Sequence, residues 1–286
     1  MGIVSDRRLV VRWTNGEQTR RPDTLVAEEP LEIRVNGRPL AVTMRTPGDD
    51  VDLALGFLVT EGLIGGANDV VTARRCGAAR PDGPAPTDDP AIGGAAAYNV
   101  LDVTLAPHVP PPLVDPTRNF YTTSSCGVCG KASIDAVRTQ SRHRIGDEAM
   151  RIDVAALAAL PDRLRAAQRV FARTGGLHAA GLFTRDGDVV SVREDVGRHN
   201  TVDKVIGDAA RQGQLPLRGR LLLVSGRASF ELVQKASMAG IPMLAAVSAP
   251  STLAVDLADE SGMSLVGFLR EGRMNIYTHP HRVNLG

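Results

Sequence analysis

The 286-residue sequence is almost without lysine. Lys131, Lys204 and Lys235 stand among 33 basic residues, and the rest are arginine. Aromatic residues make up 3 %, which argues against the stacked ring platforms that bind single-stranded nucleic acid. Three cysteines are too few for a disulfide framework in a chain of this length. No apolar run reaches the ~18 residues of a membrane-spanning helix. The opening MGIVSDRRLVVRW has neither the apolar stretch nor the small-residue cleavage site of a signal peptide. Asp6 stands where a myristoylation signal requires Ser or Thr. The net charge is +1, so bulk electrostatics favour no polyanion, although a local basic pocket is compatible with it. The expectation is a cytoplasmic protein with no nucleic-acid and no membrane partner. A composition of 43 % hydrophobic and 23 % charged residues supplies a core without staples. The arginine bias suits planar recognition of phosphate, but genomic base composition produces the same bias.

The N-terminal third reads as strands, a helix and a loose insert. Residues 9–13, LVVRW, have strand character. LEIRV and LAVTM flank Asn36-Gly37-Arg38, and Asn-Gly between two β-rich runs signals a hairpin. The stretch TPGDDVDLALGFLVTEGLIG predicts a helix capped by Asp49 or Asp50 and ended by Gly62. The Gly, Pro, Ala and Asp of residues 77–97 cannot bury much and read as a flexible excursion. YNVLDVTL (98–105) returns to strand, and APHVPPPLVDP (106–116) is semi-rigid. The expected division is a smaller N-terminal α+β domain over 1–115 and an α/β domain over 116–286.

The second half alternates. IDVAALAAL and PDRLRAAQRVFA are helical, with Pro161 placed in a first helical turn. LHAAGLFT and DVVSVRE form a hairpin about Asp186-Gly187. Then come helix TVDKVIGDAARQG, strand RLLLVSG, helix SFELVQKASMAG with Ser229 as cap, strand IPMLAAVS, helix TLAVDLADESG, strand MSLVGFLR and short strand MNIYT. The order α-β-β-α-β-α-β-α-β implies a three-layer α/β sheet flanked by helices.

The first chemical constellation is TTSSCGVCGK, residues 122–131. Cys126 and Cys129 are three apart, so they can meet each other or one metal. Helical ASIDAVR follows, and its N-terminal partial charge together with Lys131 favours a thiolate. Four readings compete. A zinc site needs two further ligands, yet Cys76 is the other cysteine and no HxxxH or HxE pair occurs. A thioredoxin-type redox pair should open the first helix of a βαβ unit, whereas this pair follows a Pro-rich stretch. Two structural cysteines sit poorly among Ser, Thr and Gly. The fourth reading is a reactive thiol that accepts a group on a mobile loop. Gly130-Lys131 is not a phosphate-binding P-loop, because Ala132 follows it and Ser125 takes the first glycine position.

Two loops between a strand and a helix form the next constellation: Glu194-Asp195-Val196-Gly197-Arg198-His199-Asn200 and Ser225-Gly226-Arg227-Ala228-Ser229. Each offers a glycine, an arginine and free N–H groups at a helix start, which suits phosphate. Ligands of open α/β sheets bind beyond the carboxyl ends of strands. The competing reading makes Asp195, Asn200 and Ser229 helix caps and leaves Arg198 and Arg227 in solvent. His199 is either a general acid or base or a hydrogen-bonding side chain, and His178 could face the same cleft. Phe268-Leu269-Arg270-Glu271-Gly272-Arg273 puts two arginines about a glycine turn at another strand end. That is either a surface hairpin turn or part of a shared anion pocket.

The element order is also that of the cytidine-deaminase-like fold. Those zinc deaminases carry His (or Cys) with Glu at one helix start and PCxxC at the next. Here the two positions read GRHNTVDK and SGRASF, so the architecture fits without the metal site, and no metal ligand is expected.

TTSSCGVCGKASIDAV, VREDVGRHNTVDKVIG, VSGRASFELVQKASMAGIPMLAAVSAPS and the FLREGR-MNIYT tail together resemble the FdhD family. Its members are accessory sulfur carriers that activate formate dehydrogenase. The likeness runs from about residue 25 to the C-terminus and is poorest over 77–97. It implies a persulfide accepted from a cysteine desulfurase on Cys126, with Cys129 assisting or resolving it. The sulfur then passes to the molybdenum (or tungsten) bis-guanine-dinucleotide cofactor before insertion into formate dehydrogenase. The family's cofactor stretch falls on Phe268, Leu269, Arg270, Glu271, Gly272 and Arg273. A homodimer with a deaminase-like fold is implied as well. The cofactor's two diphosphates suit Arg198, Arg227 and the helix starts around Gly197, His199, Asn200, Ser225 and Gly226. Asp195 is a candidate acceptor for guanine N–H groups, and a guanine nucleotide should mimic the cofactor. The alternative is a chaperone that holds the cofactor without obligatory sulfur transfer.

Overall fold

Two Asn-Gly pairs turn the first four strands. The computed structural model describes residues 4–76, 99–110 and 141–286. Strands β1 (Ser5–Thr14) and β2 (Glu17–Val26) meet at Asn15-Gly16, and β3 (Glu29–Val35) and β4 (Arg38–Arg45) at Asn36-Gly37. The φ angles are 51° and 92° at the first turn and 51° and 78° at the second. Positive φ at both turn residues matches the twist of the flanking strands. The first pair forms its own two-stranded ribbon, so the strand expected over 9–13 is half of a longer hairpin.

Helix α1 (Asp50–Thr60) follows, with Asp49 at its start and Gly62 in the left-handed conformation just past its end. Asp49 is itself left-handed and its side chain makes no capping bond. Strands β5 (Val70–Arg75) and β6 (Val100–Leu105) complete a four-stranded sheet in the order β4-β3-β6-β5, with β3 and β6 parallel. Alternation fixes which face of β3 is inward: Leu31, Ile33 and Val35 are buried.

The second half begins with β7 (Ile152–Asp153), α2 (Val154–Ala167) and the short α3 (Phe171–Thr174). It continues with β8 (His178–Thr184), β9 (Val189–Asp195), α4 (Arg198–Arg211), β10 (Arg220–Val224) and α5 (Phe230–Met238). Last come β11 (Met243–Ala246), α6 (Thr252–Glu260), β12 (Ser264–Arg270), β13 (Arg273–Thr278) and β14 (Val283–Asn284). Six strands pair in the order β9-β8-β10-β11-β12-β13; β10, β11 and β12 run parallel, and β8, β9 and β13 are antiparallel to their neighbours. Strands β7 and β14 form a separate short pair.

Proline 161 does not open a second helix. It lies inside α2. Leu157, Leu160 and Leu164 are all buried and continue one apolar face across it. Burying three leucines is worth roughly 1.5–3 kcal/mol each, more than the ~3 kcal/mol cost of a proline inside a helix.

The six-stranded sheet is covered on both faces. Leu221 and Leu223 of β10 pack with Leu157, Leu160 and Phe183 on the α2 side. Leu222 and Val224 pack with Val202, Ile206, Leu232 and Ala254, from α4, α5 and α6, on the other. This second cluster also takes Leu31, Ile33, Leu53, Leu58 and Leu101 from the first half of the chain. Helix α4 is therefore enclosed, with every residue from His199 to Ala210 buried. It meets α1 backbone to backbone, because a Cβ at Gly56 would lie 1.8 Å from the Asp203 carbonyl oxygen. No described helix is long and apolar enough to cross a membrane.

Candidate functional site

Strands β9 and β10 each end at the start of a helix. The two loops so formed lie side by side, because β8 pairs with both strands. Ser225 N–H donates to the Ala179 carbonyl, and Ala179 N–H to Ser225 Oγ, each at 2.9 Å. His178 thereby sits against Gly226, where a Cβ would lie 3.6 Å from His178 Nδ1.

The first loop is braced from below by Asp195, which is fully buried. Its Oδ1 accepts from Gly197 N–H at 2.8 Å and from Asn200 Nδ2 at 3.0 Å. Its Oδ2 accepts from Thr46 N–H at 3.1 Å and lies 2.7 Å from Lys204 Nζ. A carboxylate has about four lone-pair sites, and four partners take them. The geometry thus gives Asp195 the work of holding the loop onto β4, and leaves it no acceptor to offer a ligand. Asn200 adds a bond from Nδ2 to the Met44 carbonyl at 2.8 Å. Gly197 starts α4 where a Cβ would meet Asn200 Nδ2 at 2.9 Å. Arg198 is half-buried beside it.

The second loop leaves polar atoms unanswered. Ser229 occupies the N-cap of α5, yet its side chain makes no capping bond, whereas an N-cap serine ordinarily accepts from the second or third N–H of its helix. His199, 6 % exposed, places Nε2 2.7 Å from Glu231 Oε2 without forming a hydrogen bond. Among the described residues, Ser229 Oγ, Glu231 Oε1 and both ring nitrogens of His199 are buried without a hydrogen bond. Unmet buried polar atoms are uncommon and cost about 1–3 kcal/mol each, so their grouping at one strand edge marks a ligand position. Burial, with Arg198 and His199 nearby, pushes the His178 imidazole below its usual range. Arg227 is exposed at the rim.

The same edge continues to β12. Ser248 N–H donates to the Gly226 carbonyl at 3.3 Å, and Phe268 N–H to the Ser248 carbonyl at 3.1 Å. Phe268 is left-handed, with φ 52°, in a bulge between Gly267 and Arg270. That conformation is costly for a bulky residue and recurs where a backbone is held for function. The bulge sends Leu269 wholly into the core and leaves Phe268 partly exposed. Arg270, Glu271, Gly272 and Arg273 stand in solvent, with Gly272 at φ 73°. The three stretches singled out in the sequence are thus brought to one edge of one sheet. Glu231, which sequence reasoning passed over, lies among them. Its signal was its position: a capping box places the acid three residues after the serine, and here it comes two residues after.

Cys126 and Cys129 lie outside the described residues. Cys76 is a free thiol raised by burial, an effect that Arg34 partly offsets. Among the described residues no three His, Cys, Asp or Glu side chains group to hold a metal ion.

Comparison with known proteins identifies the family and the fold. The family model of the FdhD/NarQ family matches residues 26–284. The protein named sulfur carrier protein FdhD in Streptomyces avermitilis is 60 % identical over 286 residues, covering 100 % of this chain and 98 % of its own. Its namesake in Mycobacterium tuberculosis is 58 % identical over 283 residues, covering 99 % and 100 %. A crystal structure assigned to a formate dehydrogenase accessory protein of Desulfotalea psychrophila shares the fold at a TM-score of 0.72 and 22 % identity, over 99 % of this chain and 100 % of that one. On this full-length likeness, and on the match over residues 26–284, the chain belongs to the FdhD/NarQ family.

Proposed function

We propose that this protein is a sulfur carrier of the cytoplasm. It takes persulfide sulfur from a cysteine desulfurase onto Cys126 and delivers it to a molybdenum (or tungsten) bis-guanine-dinucleotide cofactor bound for formate dehydrogenase. The observation that carries the reading is the full-length likeness to relatives named sulfur carriers. In the first step the Cys126 thiolate attacks the outer sulfur of the donor's Cys–S–SH group. The donor's S–S bond breaks, its electron pair leaves on the donor thiolate, and a new S–S bond forms on Cys126. One sulfur moves and no external oxidant or reductant is consumed. Cys129 assists or resolves the persulfide.

The cofactor is cargo, and the carboxyl edge of the six-stranded sheet suits it. Arg227, Arg270 and Arg273 are exposed there and can meet diphosphate oxygens, as can the N–H groups that begin α4 and α5. The unmet atoms of Ser229, His199 and Glu231 supply the polar contacts that a heterocycle needs. The order β9-β8-β10-β11-β12, with β8 antiparallel to β10, supports a cytidine-deaminase-like core whose metal positions serve another purpose. A homodimer belongs to the same reading. Replacing Cys126 by Ala tests it. Formate dehydrogenase made in cells carrying Cys126→Ala should be inactive while the variant remains folded by circular dichroism. Normal activation would leave the cofactor chaperone as the function.

A further inference from the structure

Resting on the cofactor reading above, we infer that Glu231, beside His199, reads a 2-amino-4-oxo-pyrimidine edge, the hydrogen-bonding face that guanine and pterin share. That edge presents one carbonyl oxygen followed by two donors, a ring N–H and an amino group. A ligand must therefore meet one donor and a carboxylate. The cluster has both: Ser229 Oγ at the N-cap of α5, and Glu231 in the first turn.

Three features of the geometry favour this match. Glu231 Oε2 lies 2.7 Å from His199 Nε2 without a hydrogen bond between them, and Oε1 is buried with no hydrogen bond at all, so Oε1 is unspent. Ser229 does not cap its helix, so its hydroxyl is available to donate. Glu231 stands in the first turn of α5 beside the start of α4, two helix ends that favour an anion, and a carboxylate there is unexplained by phosphate binding alone. It repels an anion, but it accepts from paired N–H donors in a charge-assisted contact about twice as strong as a neutral one. Adenine places a ring acceptor beside its amino group and is refused by the same carboxylate. Asp195 cannot serve, since its oxygens are consumed by Thr46, Gly197, Asn200 and Lys204.

The test uses the full-length protein and calorimetric titration with GDP, IDP, ADP and 6-hydroxymethylpterin. IDP differs from GDP only in lacking the 2-amino group. The wild type should bind GDP at least about tenfold more tightly than IDP or ADP, the value of one hydrogen bond to a charged group. In Glu231→Gln, a near-isosteric change, the GDP/IDP ratio should fall to about twofold or less. Ser229→Ala should weaken GDP and IDP alike and keep their ratio, because both carry the oxo group. Pterin binding that survives saturating GDP and is lost in Glu231→Gln would assign the edge to the pterin end of the cofactor. A full GDP/IDP ratio and unchanged pterin binding in Glu231→Gln would overturn the inference and leave the cofactor reading standing. Equal binding of GDP, IDP and ADP by the wild type, with no pterin bound, would do the same. Binding of no nucleotide and no pterin would end both.

Discussion

Gly207 of α4 lies so close to Asp52 of α1 that a Cβ on Gly207 would stand 1.7 Å from the Asp52 carbonyl oxygen. With Gly56 against Asp203, the two helices cross at a distance that only glycine permits. The obstacle is backbone on both sides, so no side chain can rotate away. Gly207→Ala should cost at least the upper part of the ~1–3 kcal/mol typical of overpacking. Gly213, with positive φ and nothing within 4 Å of its Cβ position, serves as a control whose alanine variant reports backbone strain alone. Urea denaturation of both variants checks this, and a Gly207→Ala midpoint equal to the wild type would contradict the crossing.

Lys235 and Asp203 form an ion pair buried between α5 and α4. Lys235 Nζ lies 2.8 and 2.9 Å from the two Asp203 oxygens and 3.0 Å from Thr60 Oγ1. Burial draws the ammonium down, but Asp203 and the other nearby acids more than restore it, and Lys235 ends above its usual value. Burial leaves the Asp203 carboxyl above its usual range although Lys235 and Thr60 pull it down; two close contacts to the ammonium mark it as a carboxylate. Lys235→Met leaves that carboxylate without its counter-charge, with Thr60 Oγ1 still donating to it at 2.8 Å, and should cost about 3–5 kcal/mol. Lys235→Met with Asp203→Leu removes both charges and should recover most of the loss. Chemical denaturation of the two variants separates these outcomes.

Stability should also fall in acid. Asp208 is lowered below the usual carboxylate range: burial works against this, but Ser191, Gln212, Arg193 and Arg211 outweigh it. Ser191 Oγ donates at 2.7 Å, and Arg193 and Arg211 each approach to 2.9 Å. A carboxyl with a depressed folded pKa gives its full stabilisation above the unfolded value of ~3.9 and loses it as pH falls through the folded one. The urea midpoint of the wild type should therefore drop steeply below about pH 4. Asp208→Asn should be less stable at pH 7 and show a shallower acid limb. Parallel acid limbs would remove Asp208 from the account.

Much of this fold was legible because local signals agreed with the burial they led to. Asn36-Gly37 sat between two β-rich runs, and the alternation of helix and strand after residue 150 followed apolar runs that the sheet and its helices bury. Asn15-Gly16 carries the same turn signal, but β2 reads EQTRRPDTLV and is almost wholly exposed, so no apolar alternation announced it. Strand β5, six residues long and partly exposed, likewise lacked an apolar alternation to announce it. Pro161 looked like a helix start because local chemistry argues so; the leucine face that overrides it is a tertiary effect. At the site, the strand-end loops and the arginine turn were readable from residue type. The role of Asp195 was not, since its partner Thr46 lies 149 residues away.

The measurement that bears most directly on the central claim is mass spectrometry of the peptide holding Cys126 and Cys129. The protein is incubated with a cysteine desulfurase and cysteine, and its thiols are trapped. One added sulfur atom on Cys126, absent without the desulfurase, is the expected result. Free, reactive thiols at both cysteines and no added sulfur would contradict the carrier and leave a chaperone for the cofactor.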